Sequence, residues 1–322
     1  MFLQLLFVLA FSGGRGRRWR CAGACQHCRP TGFRNIFARA SDTGSQFPSA
    51  SVVVGDEENM KNLTTITWAH AVNNKTYLEA ALASDVAMLE ADIVLGQLKG
   101  KDGPPLPIMA HPPATTSDLS LGDFLAAVAQ HNKRTAKDKQ KGVKLDFKSI
   151  EAFEKAQELI APFSKPEVTF PLWLNADILA GPVAPTAKPL DPEKFIKLAA
   201  KHPRAVLSIG WTTQYGGNIT EGEYTREQIG TMLRMVNTHR VNQTITFPVR
   251  AGLASNSQPV ILDLLRETSA LDSSMTVWSA EEDVVAVDRL RALILTVGLE
   301  RTYLDVPQEL AARLHLPAAK KH

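Results

Sequence analysis

Beyond position 28 the chain contains no cysteine, since Cys21, Cys25 and Cys28 all lie in the first thirty of 322 residues. Disulfide staples and thiolate chemistry are therefore excluded from the remainder, which must fold on its hydrophobic core. The Cys-x3-Cys-x2-Cys spacing around His27 admits a metal knuckle, but it reads more simply as part of a loose N-terminal segment. No apolar run reaches the roughly 18 residues that cross a bilayer as a helix. Residues 2–11 have the length of a signal-peptide apolar core, but no positive charge precedes them and arginines follow. No basic stripe interleaved with aromatics is present and the formal net charge is only +3, which sets nucleic-acid binding aside.

What is present is the composition of an ordinary soluble globular protein, 44% hydrophobic and 21% charged, enough for a sizeable core. Residues 1–60, rich in Gly, Arg, Ser and Pro, read as a signal-like or disordered segment. Residues 61–312 read as one domain and 313–322 as a tail. Four Asn-x-Ser/Thr sequons, at Asn62, Asn74, Asn218 and Asn242, fit a secreted, extracellular glycoprotein, with a cytoplasmic protein as the alternative.

Eight short apolar and β-branched runs read as strands: 65–71, 87–95, 106–111, 142–148, 171–179, 205–212, 244–251 and 275–279. Amphipathic stretches at 75–84, 121–132, 150–162, 191–202, 226–237, 258–268 and 284–297 read as helices. Two of them carry clear start signals, Ser120 and Asp191-Pro192-Glu193. This order predicts an α/β fold with parallel strands closed into a (β/α)8 TIM-type barrel. An open doubly wound sheet lacks support, because no Gly-rich phosphate loop follows the first strand. The stretch 96–105 is too short and too rich in Gly, Pro and Lys for a helix, so a loop is expected between the second and third strands.

Polar residues gather at the ends of these strands. His70 and His111 each follow an apolar run, and Glu90/Asp92, Asp146/Lys148 and Asn175/Asp177 stand two apart, on one face of their strands. Ionised carboxylates are expensive to bury unless paired or bound to a cation, so strand ends of this kind predict a shared polar site. Glu90, Asp92 and Asp146 offer hard oxygen ligands suited to Mg2+ or Ca2+, with Asn175 or Asp177 as additions. His70 and His111 suit acid-base or nucleophilic work, and Lys148 the holding of developing negative charge. Arg250 reads either as an anion-binding group or as half of a structural ion pair. Of the tryptophans at strand positions, Trp68, Trp173, Trp211 and Trp278, most should pack the barrel and one or two line the pocket, with Trp211 taken as a substrate contact.

Several runs resemble the menorin-like family, in its short single-domain vertebrate type. They are Trp68-Ala69-His70-Ala71-Val72-Asn73, Glu90-Ala91-Asp92, Pro107-Ile108-Met109-Ala110-His111-Pro112-Pro113, Lys144-Leu145-Asp146-Phe147-Lys148, Trp173-Leu174-Asn175-Ala176-Asp177-Ile178, Leu207-Ser208-Ile209-Gly210-Trp211-Thr212-Thr213 and Thr246-Phe247-Pro248-Val249-Arg250-Ala251. The resemblance extends from about 62 to 310. It implies a barrel of the phospholipase C-like phosphodiesterase type, related to glycerophosphodiester phosphodiesterases and phospholipase-D-like enzymes. It further implies Mg2+ on Glu90, Asp92 and Asp146, His70 and His111 as the acid-base or nucleophilic pair, and Lys148 in support. Glycerophosphodiesterases follow their first histidine with Arg-Gly where this chain has Ala71-Val72, which argues against a glycerophosphodiester substrate. Two readings stand: a metal-dependent phosphodiesterase acting on a phosphodiester or lysophospholipid-like molecule, or a non-catalytic extracellular adhesion or binding module that keeps the pocket and meets a protein partner.

Overall fold

The computed structural model describes residues 62–318. The cysteines, the N-terminal apolar run and residues 319–322 lie outside the described residues. Among the described residues, no helix is long and apolar enough to cross a membrane.

Eight parallel strands form a nearly closed barrel: β1 (Trp68–Ala69), β2 (Met88–Leu98), β5 (Gly142–Phe147), β6 (Leu172–Ala180), β7 (Val206–Thr212), β8 (Ile245–Arg250), β9 (Ser274–Trp278) and β10 (Thr302–Asp305). Two short strands, β3 (Leu106–Met109) and β4 (Thr116–Ser117), pair only with the overhanging end of β2, the former antiparallel and the latter parallel. The expected third barrel strand is thus a hairpin arm. Its turn is the predicted loop at 96–105, and the eighth barrel position is taken by β10, which the sequence pattern did not reveal. Among the described residues no backbone pairing joins β10 to β1, and side chains bridge that seam instead.

Strand alternation sorts the residues into two worlds. Leu89, Ala91 and Ile93 of β2, Val143, Leu145 and Phe147 of β5, and Leu174, Ala176 and Ile178 of β6 face outward and are fully buried beneath the helices. Those helices are α1 (Lys75–Ala83), α2 (Leu121–Lys133), α3 (Ile150–Ile160), α4 (Pro192–Ala199), α5 (Arg226–Thr238), the short α6 (Ala251–Ala254), α7 (Gln258–Glu267), α8 (Val287–Val297) and α9 (Gln308–Arg313). Seven match the amphipathic stretches read from sequence. The helix cores form as expected because side-chain caps satisfy their first N–H groups, as Ser120 does for Asp123 N and Asp191 for Lys194 N. Phe147 stacks on Phe153 of α3 at 4.4 Å, and Phe153 on Phe195 of α4 at 4.7 Å, so one aromatic chain ties sheet to helices.

The inward-facing residues are of another kind. Trp68, Trp173 and Tyr303 pack edge to face, at centroid distances of 5.4, 6.3 and 4.7 Å, and plug the barrel at the N-terminal side of the polar residues. The Trp68–Tyr303 contact also spans the β1–β10 seam. Above this plug the interior is hydrophilic, which is where the strand ends deliver their charges.

Candidate functional site

A cavity of about 280 Å3 opens at the C-terminal ends of the strands, lined by His70, Glu90, Asp92, His111, Lys144, Asp146, Lys148, Asn175, Asp177 and Arg250 among others. Every site residue expected from sequence except Trp211 lines it. Trp211 is an outward-facing residue of β7, 2% exposed, and packs on Tyr224 at 5.2 Å and Phe247 at 6.4 Å. The alternation that turns Gly210 and Thr212 inward turns Trp211 away, so it is a core residue and not a substrate contact. Trp278, at the end of β9, is the indole on the cavity wall.

Strand register sets the layout. Asp92 pairs beside Asp146, Asp146 beside Asn175, and Asn175 beside Ser208. The hydrogen bonds follow that order: the Ser208 hydroxyl donates to Asn175 Oδ1, Asn175 Nδ2 donates to Asp146 Oδ1 at 2.8 Å, and Lys148 Nζ donates to Asp146 Oδ2 at 2.6 Å. Lys148 also reaches Asp92 Oδ1 at 2.8 Å, so one ammonium bridges two carboxylates. Asp92 is held from its other side by Asn73, which donates from Nδ2 at 2.8 Å and accepts the Asp92 N–H at 3.0 Å. Asn175, offered by the sequence as an added cation ligand, therefore orients Asp146.

Electrostatics follow from this packing. Burial pushes Glu90 up to about 7, with the His70 charge opposing and the Asp92 charge adding. Burial works against ionised Asp92 too, but the charge and hydrogen bond of Lys148 and the Asn73 amide outweigh it and hold the carboxyl below the usual range. Burial likewise opposes the Lys148 ammonium, yet Asp146, Asp92 and Glu90 raise it well above an ordinary lysine. One oxygen from each of Glu90, Asp92 and Asp146 lies within 4.8 Å of the others. Oxygens on one ion can stand no further apart than twice the bond length, roughly 4.6–5.2 Å for Ca2+ and roughly 4.2 Å for Mg2+. The spread as it stands admits a Ca2+-sized ion, and the carboxylates would draw in slightly around Mg2+. The bridging ammonium marks where positive charge is wanted.

His70 leaves β1 directly into a turn. Ala71 sits at φ 57°, its N–H donates to Glu90 Oε2 at 2.8 Å, and the Val72 N–H donates to the Glu90 carbonyl at 2.9 Å. His70 itself reaches across the seam, where its Nδ1–H donates to Asp305 Oδ2 at 3.0 Å. Glu90 Oε2 lies 3.5 Å from the same nitrogen, and Lys144 Nζ lies 3.7 Å from Asp305. Burial disfavours the imidazolium, but the Asp305 hydrogen bond and the Glu90 and Asp305 charges overcome it and push His70 up to about 9. Its side chain is 58% exposed, so solvent screens these interactions. A non-glycine residue in this conformation costs about 1 kcal/mol, part of which glycine's greater unfolded-state freedom offsets, so Ala71→Gly should raise the melting temperature by about 1–2 °C in a thermal scan. A lower melting temperature would show that the Ala71 turn is unstrained.

Asp305 and Lys144 are site residues that sequence reasoning missed. Asp305 ends a run, Thr302-Tyr303-Leu304-Asp305, of the same kind that ends in Asp92 and Asp146, and that likeness was the available signal. His111 is exposed at the cavity mouth just after β3, its Nδ1 donating to the Pro112 carbonyl at 2.6 Å. Arg250 lines the cavity but its guanidinium is held two-pronged by Asp283, at 2.8 and 2.6 Å, and lies 4.9 Å from the Trp278 ring. The ion-pair reading of Arg250 is the one realised: its charge fastens the loop after β9. Asp177 faces the cavity at a β-bulge; burial and the Asp146 charge push it up to about 7 against Lys148 and Lys144.

The model of the Menorin N-terminal domain family matches residues 62–311. Protein FAM151B of Homo sapiens is 35% identical over 226 residues, covering 70% of this chain and 76% of that protein. A crystal structure of beta-methylaspartase from Clostridium tetanomorphum, a Mg complex, superposes with a TM-score of 0.45 at 11% identity over 81% of this chain. This chain spans 58% of that one.

Proposed function

Because the chain belongs to the Menorin N-terminal domain family, we propose that its barrel is of the phospholipase C-like phosphodiesterase type and that it cleaves phosphodiesters in a metal-dependent reaction. One observation carries this reading: three carboxylates, a lysine and two histidines from different strand ends line a single cavity. A cation held by Glu90, Asp92 and Asp146, Mg2+ or Ca2+, would neutralise the diester's negative charge and polarise its phosphoryl group. Lys148 adds a second positive charge beside the phosphoryl oxygens. With Nδ1 of His70 committed to Asp305, Nε2 is the ring atom left to exchange a proton with substrate. His111, at the cavity mouth, supplies the partner imidazole as base or nucleophile.

The test is turnover of a panel comprising bis(4-nitrophenyl) phosphate, a glycerophosphodiester and a lysophospholipid, each with Mg2+, with Ca2+ and with chelator. Metal-dependent release of phosphomonoester or alcohol, abolished by chelation and by His70→Ala, is expected. Absence of turnover with every cation would overturn the enzyme reading and favour the extracellular binding module suggested by the sequons.

A further inference from the structure

The loops that feed β5, β6, β7 and β8 carry a charge that neither the core nor the cavity uses. These strands are consecutive and parallel, so the loops before them lie side by side at the N-terminal end of the barrel, opposite the cavity. The end of α2 and the loop before β5 expose Lys133, Arg134, Lys137 and Lys139. The next three loops expose Lys165, then Lys201 and Arg204, then Arg240. Against these cations the four loops hold two acids, Asp138 and Glu167. Among the described residues none of these lysines and arginines forms an ion pair. At the other end of the barrel exposed charges of both signs mix, with Lys99, Lys101 and Lys188 among Glu221, Glu223 and Glu281. Solubility asks for no more than such mixing, so like charges gathered on one face point to a polyanion.

Polar side chains knit the four loops into one surface. Asn132 Nδ2 donates to the Lys141 carbonyl and its Oδ1 accepts the Lys141 N–H, both at 2.8 Å, which closes the first loop. The Thr169 hydroxyl donates to Gln140 Oε1 at 2.7 Å and joins the first loop to the second. Ser164 Oγ lies 2.8 Å from His202 Nδ1, joining the second to the third. Gln243 Nε2 donates to the carbonyls of His202 and Ala205, at 3.1 and 2.9 Å, joining the third to the fourth. The cations therefore project from a backbone frame that needs no ordering before a ligand binds.

We infer that this face binds a sulfated polysaccharide. Such a chain is recognised by its charge, and four neighbouring strands set their loops across roughly 15 Å, enough for several sulfates to be met at once. An anionic membrane fits less well. The exposed large apolar side chains among the described residues are Tyr77, Val284 and Leu295, and none is on these loops to enter a bilayer. A nucleic acid fits less well too, because Phe163 and Phe170 are half-buried and pack on each other at 6.2 Å, which leaves no ring to stack a base. A polysaccharide on this face leaves the cavity open at the opposite end of the strands, so its binding is independent of the phosphodiesterase reading.

The test is calorimetric titration of the full chain with a heparin oligosaccharide in about 150 mM NaCl. Desulfated heparin, a DNA duplex and vesicles of equimolar phosphatidylserine and phosphatidylcholine are titrated beside it. Heparin should bind, and the other three should bind at least about 10-fold more weakly. One variant changes Lys133, Arg134, Lys137 and Lys139 to Gln, and a second changes Lys165, Lys201, Arg204 and Arg240 to Gln. Each should weaken heparin binding by about 30-fold and flatten the slope of log K against log salt by about 3. A control with the same loss of charge at the other end, Lys75, Lys99, Lys101 and Lys188 to Gln, should weaken it by less than about 3-fold. The changed side chains are exposed, so both loop variants should melt within about 2 °C of wild type, and the two sets are separate readouts of one face. No heparin binding, binding that survives both loop variants, or a loss no greater than in the control would overturn the assignment. So would desulfated heparin, DNA or vesicles bound as tightly as heparin. The turnover panel reports on the cavity separately, and neither result decides the other.

Discussion

Lys148→Met should destabilise the metal-free protein by about 3 kcal/mol, and Mg2+ should restore most of the loss. The ammonium bridges Asp92 at 2.8 Å and Asp146 at 2.6 Å. Glu90 packs close enough for its charge to raise the lysine as well. Methionine keeps the stem's apolar contacts and removes the charge, leaving buried carboxylates that repel one another. The lysine side chain is 24% exposed, which places the loss at the lower end for a broken buried pair. A divalent ion bound to the same carboxylates replaces the missing charge, so the Mg2+-dependent rise in unfolding free energy should be larger in the variant than in wild type. Urea unfolding across a Mg2+ titration measures both quantities. A variant as stable as wild type without metal, or one that Mg2+ stabilises no more than wild type, would mean that Lys148 does not neutralise Asp92 and Asp146.

Asp305→Asn should lower kcat by about 100-fold while leaving the fold intact. The carboxylate fixes which nitrogen of His70 carries its proton and stabilises the imidazolium, and the isosteric amide does neither reliably. The same change has a signature in pH. His70 is raised from 6.5 to about 9 in the metal-free protein, so the stability its charge contributes is fully present below about 6.5. That stability is lost as pH climbs through 9, because the unfolded chain has already given up its proton. Asp305, held below its ordinary range by His70 and Lys144 against the effect of burial, contributes in the opposite window, above about 3.8, and loses its contribution as the solution turns acid. In Asp305→Asn the fall in stability between pH 6.5 and 9 should flatten and the His70 imidazole should titrate lower, as followed by NMR. An unmoved His70 titration with unchanged kcat would remove Asp305 from the site.

Much of this architecture was legible in the residues themselves. Glu90, Asp92, Asp146 and Lys148 announce themselves because charges two apart on an otherwise apolar strand have no place in a core, and the barrel does bring them together. The helices were readable from their 3.6-residue periodicity and caps. Leu106–Met109 misled because a hairpin arm that is buried has the same composition as a barrel strand, and direction of pairing leaves no local mark. Thr302–Asp305 escaped because four residues after a 3-10 turn are too few to show alternation. Asp305 was lost along with the strand that carries it. Trp211 sits in a polar-looking strand end, Gly210-Trp211-Thr212-Thr213, but the alternation that turns Ser208 inward turns it out against Tyr224. Arg250 could not be settled locally, since its partner Asp283 lies 33 positions away.

Anomalous scattering from a crystal of the full chain grown with Mn2+ tests the proposed cation site most directly. One peak is expected about 2.0–2.6 Å from oxygens of Glu90, Asp92 and Asp146, with the Lys148 ammonium no longer spanning Asp92 and Asp146. An empty cluster at saturating Mn2+, with Lys148 still bridging both carboxylates, would contradict it.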